Sequence, residues 1–210
     1  MHFFRKSLIV GFSLGTLLAT TGCAPILVGG AAITTASMVS DRRASGTVVT
    51  DGVLEKEIAY DISREKIPDS HINVNAYNGK ILLTGEVPDE AAKVRAGELC
   101  HKPDTKFVQN ELAVMKPATA GSVMSDKMLA TKVRSVLLTT PDVPLSQMKV
   151  VVERGNVYLL GIVTKKESEL VKKTILGIDG VKNAVLCFDV ETPAMIRERF
   201  KDYKNPPVVE

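Results

Sequence analysis

One segment of this chain is written twice. Residues 77–87 read YNGKILLTGEV and residues 153–163 read ERGNVYLLGIV, sharing the frame Gly-x-Ile/Val-x-Leu-x-Gly-x-Val. Asn78-Gly79 and Arg154-Gly155-Asn156 supply the turn at the head of each copy, because tight hairpin turns need positive φ, which Gly and Asn tolerate. Gly85 and Gly161 fall inside the following strand, where Gly marks a bulge or a close backbone approach. The repetition extends well beyond the hairpins. Leu54, Ile58 and Ile62 recur at helical spacing, as do Leu129, Val133 and Leu137, so an amphipathic helix precedes each hairpin. Pro68 and Pro141 fall in the loops that end these helices. Ile72, Val74 and Ala76, then Met148, Val150 and Val152, alternate as outgoing strands.

A second helix follows in each copy, over residues 89–99 and 165–176, and a short strand closes each, over 108–112 and 181–185. A period of about 75 residues is too long for a solenoid unit and right for a duplicated small domain. The fold class is therefore α+β: two tandem domains, each a helix-strand-strand-helix-strand sandwich with a small mixed sheet. The expected limits are residues 51–116 and 125–191, with a linker at 117–124 that carries Pro117 and Gly121. A tail at 192–210 holds a short helix. Ile196 and Phe200 share one of its faces, which either docks on the second domain, the expectation here, or touches the membrane beside the basic helix, ahead of a frayed Pro206-Pro207 end.

The first residues decide the compartment. Arg5 and Lys6 form a charged start, residues 8–19 an apolar stretch, and Thr20-Thr21-Gly22 a small-residue approach to Cys23. That pattern is a secretory signal peptide, 1–22, whose apolar stretch is short for a membrane span. A Cys directly after Gly22 is the mark of a lipobox, so Cys23 is the expected lipidation site, although Thr20 stands where Leu is usual. Ala24 follows, where Asp would signal retention at the inner membrane; the outer membrane, periplasmic side, is the expected address. Residues 23–50 then read as a lipidated N-terminus and flexible tether.

Composition excludes more than it suggests. The chain has no Trp and 5% aromatics, which argues against a carbohydrate platform or a base-stacking nucleic-acid surface. Neither a Gly-x-Ser-x-Gly elbow nor a P-loop is present. His71 and His101 follow the signal without a helical His pair or a Cys-x-x-Cys, so no metal site, cofactor or enzymatic activity is expected. Cys100 and Cys187 lie in different repeats. They are either a disulfide, permitted in the periplasm, or two buried thiols.

The two leading helices differ. In the first, Leu54, Ile58 and Ile62 face inward, and Glu55, Lys56, Glu57, Ala59 and Ser63 make a mixed, solvated outside. In the second, Leu129, Val133, Val136 and Leu137 face inward. Outside stand Lys127, Lys132 and Arg134 together with Met128 and Leu138, which the inward stripe does not need. An anionic bilayer rewards that combination: each Lys or Arg contributes ~1 kcal/mol near such lipids, while apolar side chains insert. The bland alternative has Leu138 covering the core's edge and Met128 packing on the other domain.

The helix–hairpin–helix–strand unit, with its glycine-punctuated Gly79-to-Val87 and Gly155-to-Val163 core, resembles the BON domain. Two such units behind a lipoprotein signal and Asp41-Arg42-Arg43 resemble that family's outer-membrane lipoproteins. The resemblance implies a periplasmic protein that binds anionic phospholipid, phosphatidylglycerol-like, through its second domain and supports envelope integrity. It also implies links to the division site and to the outer-membrane protein assembly machinery. A lipid-tethered protein adaptor is the rival expectation, and a secreted membrane-damaging factor a weaker one.

Overall fold

The computed structural model describes residues 41–201 and, before them, the backbone of two short strands, β1 (Ile26–Val28) and β2 (Ala31–Ile33), which pair antiparallel. The expected signal peptide, Cys23 and the Pro206-Pro207 end lie outside the described residues.

The first unit runs α1 (Ser45–Glu65), β3 (His71–Tyr77), β4 (Lys80–Val87), α2 (Glu90–Glu98), β5 (Phe107–Asn110) and β6 (Ala113–Val114). The second runs α3 (Ala120–Thr139), a 3-10 turn (Leu145–Gln147), β7 (Met148–Glu153), β8 (Asn156–Val163), α4 (Lys165–Leu176) and β9 (Asn183–Val190). A last helix, α5 (Pro193–Arg199), follows. In each unit an antiparallel hairpin is extended by a parallel closing strand: β5 and β6 along β4, β9 along β8. These are the two mixed sheets that the repeat calls for.

Both hairpins turn through two residues of positive φ, Asn78 (53°) and Gly79 (77°) in one, Arg154 (52°) and Gly155 (77°) in the other. A left-handed Arg is costly, and each turn is held by an aspartate on the leading helix. Asp51 accepts from the amides of Asn78 and Gly79 at 2.7 and 2.8 Å. Asp126 accepts from Arg154 and Gly155 at 2.7 and 2.9 Å. The in-strand glycines mark close approaches: a Cβ at Gly85 would stand 1.9 Å from the His71 carbonyl oxygen, and one at Gly161 2.8 Å from that of Gln147.

Strand alternation divides the apolar residues of β4 and β8 between two faces. Ile81, Leu83 and Val87 pack under α1 and α2 with Leu54, Ile58 and Ile62. Val157, Leu159 and Val163 pack under α3 and α4 with Val133, Leu137, Val171 and Ile175. The opposite faces meet each other. Tyr77, Leu82, Tyr158, Leu160 and Ile162 form a third core between the sheets, and α5 closes it with Ile196 and Phe200. The tail therefore docks at the seam of both domains rather than on the second alone. Cys100 lies in the first core and Cys187 beside the third. Both are free thiols, pushed up by burial to about 12 and about 11, which keeps them protonated.

Two expected boundaries move. α3 begins at Ala120, capped by the Thr119 hydroxyl, so it absorbs much of the expected 117–124 linker. α1 begins at Ser45, and the residues before it are built into the body, so a tether running to residue 50 does not hold. The reason is charge. Arg42, 1% exposed, grips Glu167 on α4 through both terminal nitrogens at 2.7 Å and donates to the Ile162 carbonyl at 2.9 Å. Its own amide donates to Gln147 Oε1 at 2.8 Å. Arg43 turns to the first domain: it bonds Asp41 and Asp51 and lies 4.0 Å over the Tyr77 ring. Asp41-Arg42-Arg43 is thus a strap across both units.

Candidate membrane-facing surface

α3 carries the surface that sets the two domains apart. Val133 and Leu137 are fully buried, with Leu129 and Val136 partly buried beside them. At about 100° per residue, the opposite arc presents Met124, Met128 and Leu138 as an apolar ridge, 59%, 68% and 74% exposed. Met128 and Leu138 therefore cover neither the core's edge nor the other domain. Met124 falls within the expected 117–124 linker, but α3 starts ahead of it and places it one turn before Met128 on the same face.

Cations flank the ridge on both sides. Lys127 and Arg134 are exposed on the side toward the first domain, and Lys132 on the side toward the loop after α4. Two of them are positioned by carbonyls: Arg134 donates to Val150 at 2.7 Å, and Lys132 to Asp179 at 2.8 Å. Lys127 forms no ion pair among the described residues. The helix has one carboxylate, Asp126, and the Arg154-Gly155 turn consumes it. The outer face of α3 is consequently cationic with no acidic side chain of its own. Lys127 and Arg134 also line one wall of a cleft of about 500 Å³ between the domains, faced by His71, Asn73 and Glu153.

The corresponding face of α1 is different. Tyr60 and Val53 are exposed there, with Glu57 as well as Lys56 and Arg64 around them. Glu55, expected on the solvated outside, turns instead into the seam, where it accepts from the Ala76 amide at 2.7 Å and pairs with Lys149. Among the described residues no helix is long and apolar enough to cross a membrane. Chemically, α3 offers what an anionic surface rewards, an apolar ridge to insert and cations to meet phosphates.

A family model describing the BON domain matches residues 50–116 and 125–185. The outer membrane lipoprotein DolP of Haemophilus influenzae is 30% identical over 178 residues, covering 83% of this chain and 92% of that protein. The 21 kDa hemolysin of Actinobacillus pleuropneumoniae is 30% identical over 148 residues, 69% of this chain and 76% of that protein. A solved structure, the C-terminal domain of CdsD from the type III secretion system of Chlamydia trachomatis, is 13% identical, covers 66% of this chain and 98% of its own, and superposes with a TM-score of 0.28, too loose to carry an argument. Two matched units and a relative aligned along most of both chains place this protein in the BON-domain family, as a DolP-like outer-membrane lipoprotein held by its lipid at the periplasmic face.

Proposed function

We propose that this lipoprotein binds anionic phospholipid, of the phosphatidylglycerol kind, through the outer face of α3, and in doing so supports outer-membrane integrity. Cys23 is the lipidated residue. Lys127, Lys132 and Arg134 meet lipid phosphates, and Met128 and Leu138, with Met124, enter the interface. The first domain is a packing partner that fixes the second through the shared core and the strap. The observation that carries the reading is the apolar ridge with cations on both flanks, on a helix whose one carboxylate, Asp126, is taken up by the Arg154-Gly155 turn; the nearest acidic side chain on that side is Asp179, 3.5 Å from Lys132. Asp41 follows Cys23 by 18 residues (41 minus 23), a leash of at most roughly 60 Å that the β1–β2 hairpin shortens, so the folded body stays near the leaflet that holds the anchor.

The ridge contains no aromatic residue, the usual interfacial anchor, so binding leans on charge and is expected to weaken steeply with salt. Flotation of the protein with vesicles containing phosphatidylglycerol should show capture at low salt, loss of most of it by several hundred millimolar salt (about 3 Å of screening length at 1 M), and little capture by purely zwitterionic vesicles. A tethered adaptor, with α3 contacting an envelope protein such as the outer-membrane assembly machinery, would instead leave pure lipid vesicles unbound.

A further inference from the structure

Away from the α3 ridge, one corner of the domain seam holds charges that do not balance. Glu86, near the end of β4, is fully buried, and Glu153, at the end of β7, is 5% exposed. His71 opens β3 directly opposite Glu86 in the hairpin register, its Nδ1 3.3 Å from Glu86 Oε2. One ring nitrogen of His71 and one oxygen from each of Glu86 and Glu153 all lie within 4.8 Å of one another. The remaining contacts are few. The Arg154 guanidinium donates to Glu86 Oε1 at 3.0 Å and to the Gly85 carbonyl at 2.8 Å. The Ala118 amide donates to Glu86 Oε2 at 3.2 Å, and the Asn73 amide to Glu153 Oε2 at 3.1 Å. The guanidinium thus pairs with Glu86, and no ion pair among the described residues involves Glu153. Burial, then the neighbouring Glu86, push the Glu153 carboxyl above its ordinary range.

A second feature points to the same place. The Thr84 hydroxyl is fully buried and has no hydrogen-bond partner among the described residues. Strand alternation puts it on the same face of β4 as Glu86. It lies across the hairpin from Asn73, the residue that holds Glu153.

We propose that His71, Glu86 and Glu153 form a divalent-cation site that bridges the two domains, of the imidazole–carboxylate class that takes Zn²⁺. Imidazole nitrogen with two carboxylate oxygens suits zinc, whereas an all-oxygen set would suit Mg²⁺ or Ca²⁺. Three protein ligands leave a fourth position for water, and His71 and Glu153 open on the interdomain cleft, which gives the ion its path in. Arg154 on the second oxygen of Glu86 and Asn73 on Glu153 orient the ligands, as outer partners do in metal sites. His71 and Glu86 come from the first domain and Glu153 from the second, so a bound ion ties the seam together and stabilises the folded pair by linkage. The rival is an unmetallated cluster held by its hydrogen bonds alone.

Calorimetric titration of the full-length lipoprotein in detergent, first stripped with chelator, tests this with ZnSO₄ and, in parallel, MgCl₂. The site predicts one saturable Zn²⁺ per chain, a higher Tm with zinc, no comparable Mg²⁺ binding, and affinity lowered about 100-fold or more by His71→Ala and by Glu153→Gln. His71→Gln keeps a hydrogen-bonding group opposite Glu86, and its zinc-free Tm separates lost binding from lost folding. The proposal is overturned if zinc does not bind saturably. It is equally overturned if binding survives both substitutions, as it would at exposed His101, or if the Tm answers to acid but not to zinc.

Discussion

Replacing Arg42 with alanine is expected to destabilise the protein by about 3–5 kcal/mol, the range for removing one member of a buried ion pair. The side chain is 1% exposed, holds both Glu167 oxygens, and reaches the Ile162 carbonyl of the interdomain core. Its loss leaves Glu167 and that carbonyl without their partner and frees the strap from the second domain. Urea denaturation should show a lower midpoint, and Glu167→Gln added to Arg42→Ala should recover part of the loss by removing the unpaired charge. The pH dependence has a definite sign. Burial alone would raise the Glu167 carboxyl, but the Arg42 guanidinium and the Thr164 amide outweigh it and hold it below its ordinary value. A depressed folded pKa stabilises above the unfolded pKa, and that stability is lost as pH falls through the depressed value. Acid should therefore erode the wild type more than the Arg42→Ala variant, and the two stabilities should converge. Parallel curves down to that range would contradict the pairing.

The second large effect concerns the surface rather than the fold. Reversing Lys127 and Arg134 to glutamate changes the local charge by four. At ~1 kcal/mol per charge near an anionic leaflet, affinity for phosphatidylglycerol vesicles should fall by about 4 kcal/mol, roughly 1000-fold. Lys127→Glu alone should cost about 2 kcal/mol, roughly 30-fold. It is the cleaner test, because Lys127 forms no ion pair among the described residues, whereas Arg134 also supports the Val150 carbonyl. The same reversal on α1, at Lys56 and Arg64, should leave vesicle binding within about twofold, since that face is already mixed. Undiminished binding by Lys127→Glu plus Arg134→Glu would remove α3 from the membrane contact.

The repeated hairpin carried the architecture because its information is local. Two glycines fixed the turn and the close approach, alternation fixed the strands, and the helical stripes at Leu54 and Leu129 fixed which side of the sheet is covered. The outward residues of α3 were legible for the same reason: Lys127, Met128, Lys132, Arg134 and Leu138 are simply what the inward stripe leaves over. Met124 escaped because the start of a helix is set by a cap, here Thr119, and not by periodicity. Asp51 and Asp126 were readable in principle, standing at matching places ahead of the two turns, yet their role appears only when the turn amides are seen to need acceptors.

What the sequence withheld is long-range. Leu82, Tyr158, Leu160 and Ile162 show that the second face of each central strand is apolar, but nothing nearby says that the faces cover one another. Asp41-Arg42-Arg43 reads as a polar approach to a domain, because the partner of Arg42 lies 125 residues away. His71, Glu86 and Glu153 come from three strands and two domains, with no spacing that a motif could capture.

The central claim, that α3 is the part of the molecule that meets anionic lipid, is tested most directly by backbone NMR shift mapping of the folded domains with phosphatidylglycerol micelles. The predicted result is a contiguous set of perturbed amides along α3, centred on Met124, Lys127, Met128, Arg134 and Leu138, with α1 and α4 unmoved. Perturbations centred on α1, or none at lipid concentrations that capture the protein in flotation, would contradict it.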